Sequence, residues 1–272
     1  MGVDGWPQSE AWAGAHAASG DMTLPATSLS KPINHVAFIF AMVAEAQHTI
    51  KRLGLAPKDE HAAHLPAQFY GGDVDGLKVT LVINGEDAAF KCDRVGTVAA
   101  ALTTQALLMR TSPDLLVTAG TAGSFKALGG AIGDVFVIDK FIYHDRRIAI
   151  PGFAAYGVRP TAALPTPHLL QETGWKSGVC STGDSLDSTA ADLELMAQFK
   201  VVVKEMEAAT VAEVAGLFGV PVLALKTVTD IVDDETPNHE TFMANLASAS
   251  QKLQDAIPEL LKFVHGKEAS GL

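Results

Sequence analysis

Cysteine is almost missing from this chain: Cys92 and Cys180 are the only two in 272 residues, far apart and without metal-type spacing. That excludes a disulfide framework and a zinc site built on paired cysteines, and it makes a reducing, cytoplasmic setting the default expectation. Positive charge is scarce as well. Twenty Lys and Arg stand against 31 Asp and Glu, a formal net charge of −11. Proteins that grip a phosphate backbone concentrate cations on one face, so nucleic acid is excluded as a partner and a small molecule is favoured. No apolar run reaches the roughly 18 residues that a membrane helix needs, so no membrane partner is expected. A Pro/Gly/Ser-rich linker is also absent after the N-terminal stretch, which favours one domain over two. Residues 1–32 contain no Arg and no long apolar core. They resemble neither a secretory signal nor an Arg-rich transit peptide and are expected to be a disordered leader, with a single domain over 33–272.

What remains is ample material for a core: 48% hydrophobic residues, 19% charged, and a mean hydropathy of +0.20. Apolar strand-length runs alternate with helical patterns, which predicts an α/β fold with three layers, α/β/α, around a central mixed, twisted sheet. The first strand is His35–Phe40, followed by a helix through Leu53. Strands near Ala67–Tyr70 and Leu77–Ile83 are separated by Gly71-Gly72 and Gly76. After a loop around Asn84–Asp93, an Ala-rich helix opens at Val95-Gly96-Thr97-Val98 and ends near Arg110. Asp114–Gly120 is a strand running into the small-residue turn Gly120-Thr121-Ala122-Gly123. Gly133–Tyr143 is a long strand, and an irregular segment from His144 to about Pro167 follows it. Ser177–Ser181 and Val201–Val203 are further strands, Val220–Asp230 is another, and His239–Val264 is a scaffold helix.

Three acids stand at strand ends or strand-to-helix junctions: Glu45, Glu207 and Asp230. In open α/β sheets ligands bind beyond the carboxyl ends of the strands, which raises the prior that these carboxylates face a ligand. Each also has a plain alternative. Glu45 in the first turn of a helix is good dipole chemistry, and Asp230 could be a cap. His144 beside Asp145 reads more readily as structure or interface than as a catalytic pair, because adjacent residues on a strand face opposite ways. Gly120–Gly123 lacks the Gly-Lys-Ser/Thr ending of a phosphate-binding loop, and no dinucleotide fingerprint is present. The acids Asp233 and Asp234 beyond Asp230 read as a solvated turn, so neither a cofactor nor a metal is expected.

Six segments in order, Ala41-Met42-x-x-Glu45, Gly120-Thr-Ala-Gly123, His144-Asp-Arg-Arg-Ile148, Ser181-Thr-Gly-Asp-Ser-Leu-Asp187, Met206-Glu207 and Lys226-Thr-Val-Thr-Asp230, resemble the nucleoside phosphorylase superfamily. Within it they are most similar to the plant-type 5'-methylthioadenosine/S-adenosylhomocysteine nucleosidases. The resemblance runs from about His35 to the C-terminus. It implies a nucleoside phosphorylase-like fold and hydrolysis of the N-glycosidic bond of 5'-methylthioadenosine in methionine salvage, with S-adenosylhomocysteine as a further candidate substrate.

It also implies roles. Asp230 protonates adenine N7, and Glu45 positions and deprotonates the attacking water. Glu207 and the main chain near Met206 meet the ribose hydroxyls, and the backbone around Leu186 reads adenine. Thr121, Lys226 and Thr229 support the site, while Met42, Val95 and Phe153 form the apolar wall around the sugar and the 5' substituent. A homodimer partner partly closes the 5' end. Two departures touch the shape of the site: Ser124 stands where many relatives have glycine, and Asn84-Gly85-Glu86 differs from the usual loop. Two rivals stay open, a phosphate-dependent phosphorylase and a non-catalytic nucleoside-binding or storage protein on the same fold.

Overall fold

Strand β1, His35–Phe40, is buried along its whole length, and its side chains part to two sides with the period of two that a pleated strand imposes. Val36, Phe38 and Phe40 join one apolar cluster, while Ala37 and Ile39 join another. Each of the two phenylalanines contributes roughly 1.5–3 kcal/mol by leaving water. A strand apolar on both faces belongs inside a sheet covered on both sides. The computed structural model, which describes residues 29–58 and 64–272, shows this arrangement.

In chain order β1 is followed by α1 (Val43–Arg52), β2 (Ala56–Pro57), β3 (Gln68–Val74), β4 (Leu77–Ile83), α2 (Thr97–Arg110) and β5 (Leu115–Ser124). Then come β6 (Val135–Tyr143), α3 (Ala154–Val158), β7 (Thr161–Ala162), α4 (Pro167–Thr173), β8 (Lys176–Thr182) and α5 (Ala190–Gln198). The chain continues with β9 (Val201–Glu205), α6 (Ala208–Leu217), β10 (Val222–Ile231) and α7 (Asn238–Val264). Leu253, Ile257, Leu260 and Leu261 of α7 share the cluster of Phe38 and Phe40. Ala100 and Leu107 of α2 and Ala208, Val211 and Ala212 of α6 share the cluster of Ile39. Two helical layers thus enclose one sheet. A third, smaller cluster gathers Ile142, Val158, Leu195, Met196 and Val201 under α3 and α5.

The sheet is mixed, in the order β10-β6-β8-β9-β5-β1-β4-β3-β2, with β7 on β6. Because β10 also pairs with β5, the strands β10, β6, β8, β9 and β5 form a closed hydrogen-bonded circuit, and β1 to β4 extend from it as an open wing. β1, β5 and β10 run parallel, so their carboxyl ends open on one side.

Three sequence expectations need correction. Gly120-Thr-Ala-Gly123 is not a turn but the second half of β5, a ten-residue strand buried throughout. Gly71-Gly72 likewise lies inside β3, and the reversal comes at Asp75-Gly76, both with positive φ (52° and 87°), as a tight hairpin requires. The segment 144–167 is not wholly irregular, since it contains α3 and β7. The helix α4 and the helix α5, which opens with Thr189 capped reciprocally by Asp192, escaped the sequence reading. Residues 1–28 of the expected leader lie outside the described residues. Within 29–32, Lys31 pairs with Asp114 at 2.5 Å and Pro32 bridges to Glu268.

Candidate active site

The parallel strands β5 and β10 lie side by side; β10 carries Asp230, and β5 receives the side chain of Glu45 from α1. Register runs evenly from Val222 opposite Leu116 until Val228, then slips by one, so that Asp230 rather than Thr229 stands opposite Gly123. Such a bulge re-aims the residue after it. Asp230 Oδ2 lies where it would be only 2.7 Å from a Cβ at Gly123, so the strand needs glycine there for the carboxylate to lie across it. Asp230 is 3% exposed. Thr229 Oγ1 is 2.8 Å from Asp230 Oδ1 and 3.2 Å from the Ala122 carbonyl oxygen. Burial raises the Asp230 pKa above its usual value, while Thr229 and the Lys204 ammonium pull the other way.

Glu45 is the third residue of α1, and it occupies its dipole position: Oε2 accepts the Met42 main-chain N–H at 3.3 Å. The plain reading of this residue is therefore true as far as it goes. The other oxygen reaches across to β5, where Oε1 accepts both the Thr121 N–H and the Thr121 hydroxyl at 2.7 Å. A Cβ at Gly120 would stand 3.1 Å from that oxygen, so Gly120 and Gly123 make room for the two acids on one strand. Burial raises the pKa of Glu45, and the Thr121 donors, Lys226 and Met42 oppose it.

Glu207 sits at the N-terminal boundary of α6, 8% exposed, with Oε1 accepting the Gly96 N–H at 2.7 Å. Its pKa is raised to about 8, first by burial and then by the neighbouring Glu205 charge. Met206 precedes it in the same junction. Glu205 was missed by the sequence reading and proves central. Its Oε2 accepts from Lys226 Nζ at 2.9 Å and from the main-chain N–H groups of Glu207 and Ala208 at 3.0 and 2.8 Å, and its Oε1 accepts from the Thr182 hydroxyl. Burial opposes ionisation of Glu205, but Lys226 and these donors outweigh it and hold its pKa below the usual value. The signal was available: a lysine in the middle of an otherwise apolar buried strand demands a buried counter-charge.

Of the other expected residues, Thr121, Thr229 and Lys226 stand in direct contact with the acid set, as described above. Met42 is bonded to Glu45 through its main chain. Leu186 lies in the loop after β8 and is 43% exposed. That loop is held by Lys204 Nζ, which donates to the carbonyls of Ser185 and Leu186 at 2.7 and 2.8 Å. It borders a cleft of about 580 Å³ walled by Leu186, Asp187, Leu193, Val232 and His239, within the usual size range of ligand sites. The three acids are not in that wall; of its residues Val232, two beyond Asp230, packs beside Asp230 against Gly123. Val95 and Phe153 are 44% and 49% exposed, and the Phe153 ring packs edge-on against Tyr156. Asp233 caps the short helical turn 126–128 by accepting the N–H groups of Lys126 and Ala127. Among the described residues no cluster of His, Cys, Asp and Glu is arranged to hold a metal ion.

Chemically, the arrangement offers two buried carboxylates, one from α1 and one from β10, that lie against β5 in different hydrogen-bond settings. Glu45 is surrounded by three donors, which suits an ionised acceptor. Asp230 has one hydroxyl neighbour whose single proton can go to Ala122 instead, which leaves Asp230 free to carry and donate a proton of its own.

Residues 35–262 match the model of the phosphorylase superfamily. The chain is 40% identical to a 5'-methylthioadenosine nucleosidase of Arabidopsis thaliana over 248 residues, covering 90% of this chain and 93% of the relative. It is 41% identical to a 5'-methylthioadenosine/S-adenosylhomocysteine nucleosidase of the same plant, covering 89% and 96%. The solved apo structure of Arabidopsis thaliana 5'-methylthioadenosine nucleosidase superposes with a TM-score of 0.87 at 41% identity, over 89% of this chain and 100% of that one.

Proposed function

This chain belongs to the phosphorylase superfamily and, within it, to the methylthioadenosine nucleosidases, and from that premise we propose that it hydrolyses the N-glycosidic bond of 5'-methylthioadenosine to adenine and 5-methylthioribose. The observation that carries the reading is the contrast between Asp230 and Glu45. Adenine leaves poorly as an anion, so an acid that is protonated near neutral pH and delivers its proton to N7 lets it depart neutral. Burial raises the pKa of both acids, but three donors favour the ionised form of Glu45, whereas Asp230 has only the Thr229 hydroxyl, so Asp230 is the one suited to carry the proton. As the bond breaks the sugar becomes oxocarbenium-like, and the carboxylate of Glu45, held by Thr121, stabilises that charge and takes a proton from the attacking water. Glu207 meets the ribose hydroxyls, the loop at Leu186 and its cleft receive adenine, and Met42, Val95 and Phe153 line the sugar and 5' side. S-adenosylhomocysteine is proposed as a second substrate.

A phosphorylase would need cations free to hold a phosphate dianion. The two lysines buried beside the acids are both engaged, Lys226 by Glu205 and Lys204 by the Ser185 and Leu186 carbonyls. The deciding experiment measures adenine and the sugar product from 5'-methylthioadenosine with and without phosphate. Free 5-methylthioribose at a phosphate-independent rate is expected; strict dependence on phosphate, with a sugar 1-phosphate as product, would overturn the reading. No adenine at all would favour a binding protein.

A homodimer that covers the 5' end is part of the proposal. Val98, Leu102 and Met109 leave apolar surface on α2 (68%, 39% and 69% exposed) next to the exposed Val95, as a surface awaiting a partner does. Among the described residues no helix is long and apolar enough to cross a membrane, and a cytoplasmic setting is proposed from the sparse cysteines.

A further inference from the structure

The motif His144-Asp145 is not used by the chemistry above, yet Asp145 begins a chain of contacts that ends on Glu207. Asp145 Oδ2 accepts the Asp184 N–H at 2.7 Å. Asp184, in the loop after β8, in turn directs its carboxylate at the start of α2: Oδ1 accepts the Thr97 N–H at 2.7 Å and Oδ2 accepts the Thr97 hydroxyl at 2.6 Å. The helix has no cap of its own, since its N-cap is Gly96 and its first turn holds no acid, so a residue 87 positions away supplies the cap. Gly96 has φ of +91°, and a Cβ there would lie 2.6 Å from Asp184 Oδ1. With the carboxylate on one side, Gly96 turns its N–H to the other, where it donates to Glu207 Oε1 at 2.7 Å.

We infer that Asp184 is a positioning residue for the ribose side of the site: by fixing the Gly96–Thr97 peptide from outside, it fixes the donor that orients the Glu207 carboxylate. The inference rests on the proposed contact between Glu207 and the ribose hydroxyls. It also explains why an exposed loop acid has both oxygens committed to main chain and hydroxyl of another element. A 1 Å shift of Gly96 would free Glu207 to rotate, and misplacement on that scale can cost on the order of 100-fold in rate.

The test is a double-mutant cycle in kcat/KM on Asp184→Ala and Glu207→Gln, run with 5'-methylthioadenosine and its 2'-deoxy and 3'-deoxy analogues, with melting temperature recorded for each protein. Asp184→Ala is expected to lose roughly 10- to 100-fold with the native substrate. The loss should shrink on a deoxy analogue and nearly vanish in the Glu207→Gln background. Asp184→Asn, which keeps an oxygen facing the Thr97 N–H, should recover most of the rate. Thr97→Val, which removes one arm only, should show a smaller loss of the same pattern and serves if Asp184→Ala folds poorly. If the Glu207→Gln loss shrinks on a deoxy analogue but the Asp184→Ala loss is equal on all three substrates and additive with Glu207→Gln, Asp184 is a helix cap and nothing more, and the inference is overturned. If the Glu207→Gln loss itself is equal on all three, it is the ribose assignment of Glu207 that fails.

Discussion

Lys226 Nζ stands 2.9 Å from Glu205 Oε2, and both side chains are 2% exposed. The pair joins β10 to β9, both of which hydrogen-bond to β5, and Glu205 extends it to the first N–H groups of α6. A buried ion pair adds little over a well-packed apolar pair, but removing one partner strands the other charge. Glu205→Ala should therefore lower unfolding stability by about 3–5 kcal/mol, the range for breaking such pairs. Denaturant titration checks this, and a loss under 1 kcal/mol would show that the lysine finds other partners.

Asp230→Asn keeps the shape of the acid and removes its proton. The expected outcome is a fall in kcat of about 10²–10⁴-fold, the usual share of general acid catalysis, with KM little changed. In the proposed mechanism the acid form of Asp230 acts, so wild-type activity should decline as pH rises through its raised pKa, and that declining limb should be missing in the variant. A variant with wild-type turnover would remove Asp230 from the mechanism.

Much of the layout was legible because it follows from local rules. The two-sided burial of Val36–Phe40 and the helical spacing of α7 can be read directly from the sequence, and both mark buried scaffold. The acids at strand ends were legible as positions, not as partners. Glu205 was passed over because its value lies in Lys226 and Thr182, which arrive from other strands. The same reason hid the cap on α2, since nothing near Gly96 in sequence announces Asp184. Gly120–Gly123 looked like a turn because small residues serve turns and close approaches alike, and only the carboxylates packed across them decide which it is.

Glu207 gives a pH signature in stability. Its pKa is raised to about 8 in the folded protein, against 4.5 as the usual value, so the folded state holds a proton that the unfolded state has released across that interval. The unfolded state binds fewer protons there, and stability must fall as pH rises from about 4.5 to about 8. Glu207→Gln cannot release that proton. The stability of the variant relative to wild type should therefore increase over the same interval, measured as the difference in unfolding free energy at a series of pH values. A difference that stays flat would mean that Glu207 is ionised throughout.

Gly123→Ala tests whether the site depends on room in β5 more than on the acids alone. The added Cβ would be 2.7 Å from Asp230 Oδ2 and 2.9 Å from Val232 Cγ2, both too close to tolerate without movement. Backbone strain is not the issue, because Gly123 is a strand residue without positive φ. The cheaper adjustment is rotation of the Asp230 side chain away from Thr229, since moving Val232 would also disturb its N–H bond to the Ser124 carbonyl, 2.7 Å long. Activity should thus fall by roughly 100-fold, as expected when a catalytic group shifts by about 1 Å. The chain should still fold, with a stability loss of about 1–3 kcal/mol from overpacking. The informative comparison is with the Asp230→Asn protein: combining the two changes should cost little more than the larger one alone, because both act through the same carboxylate. Fully multiplicative losses would show that the alanine acts elsewhere in the site.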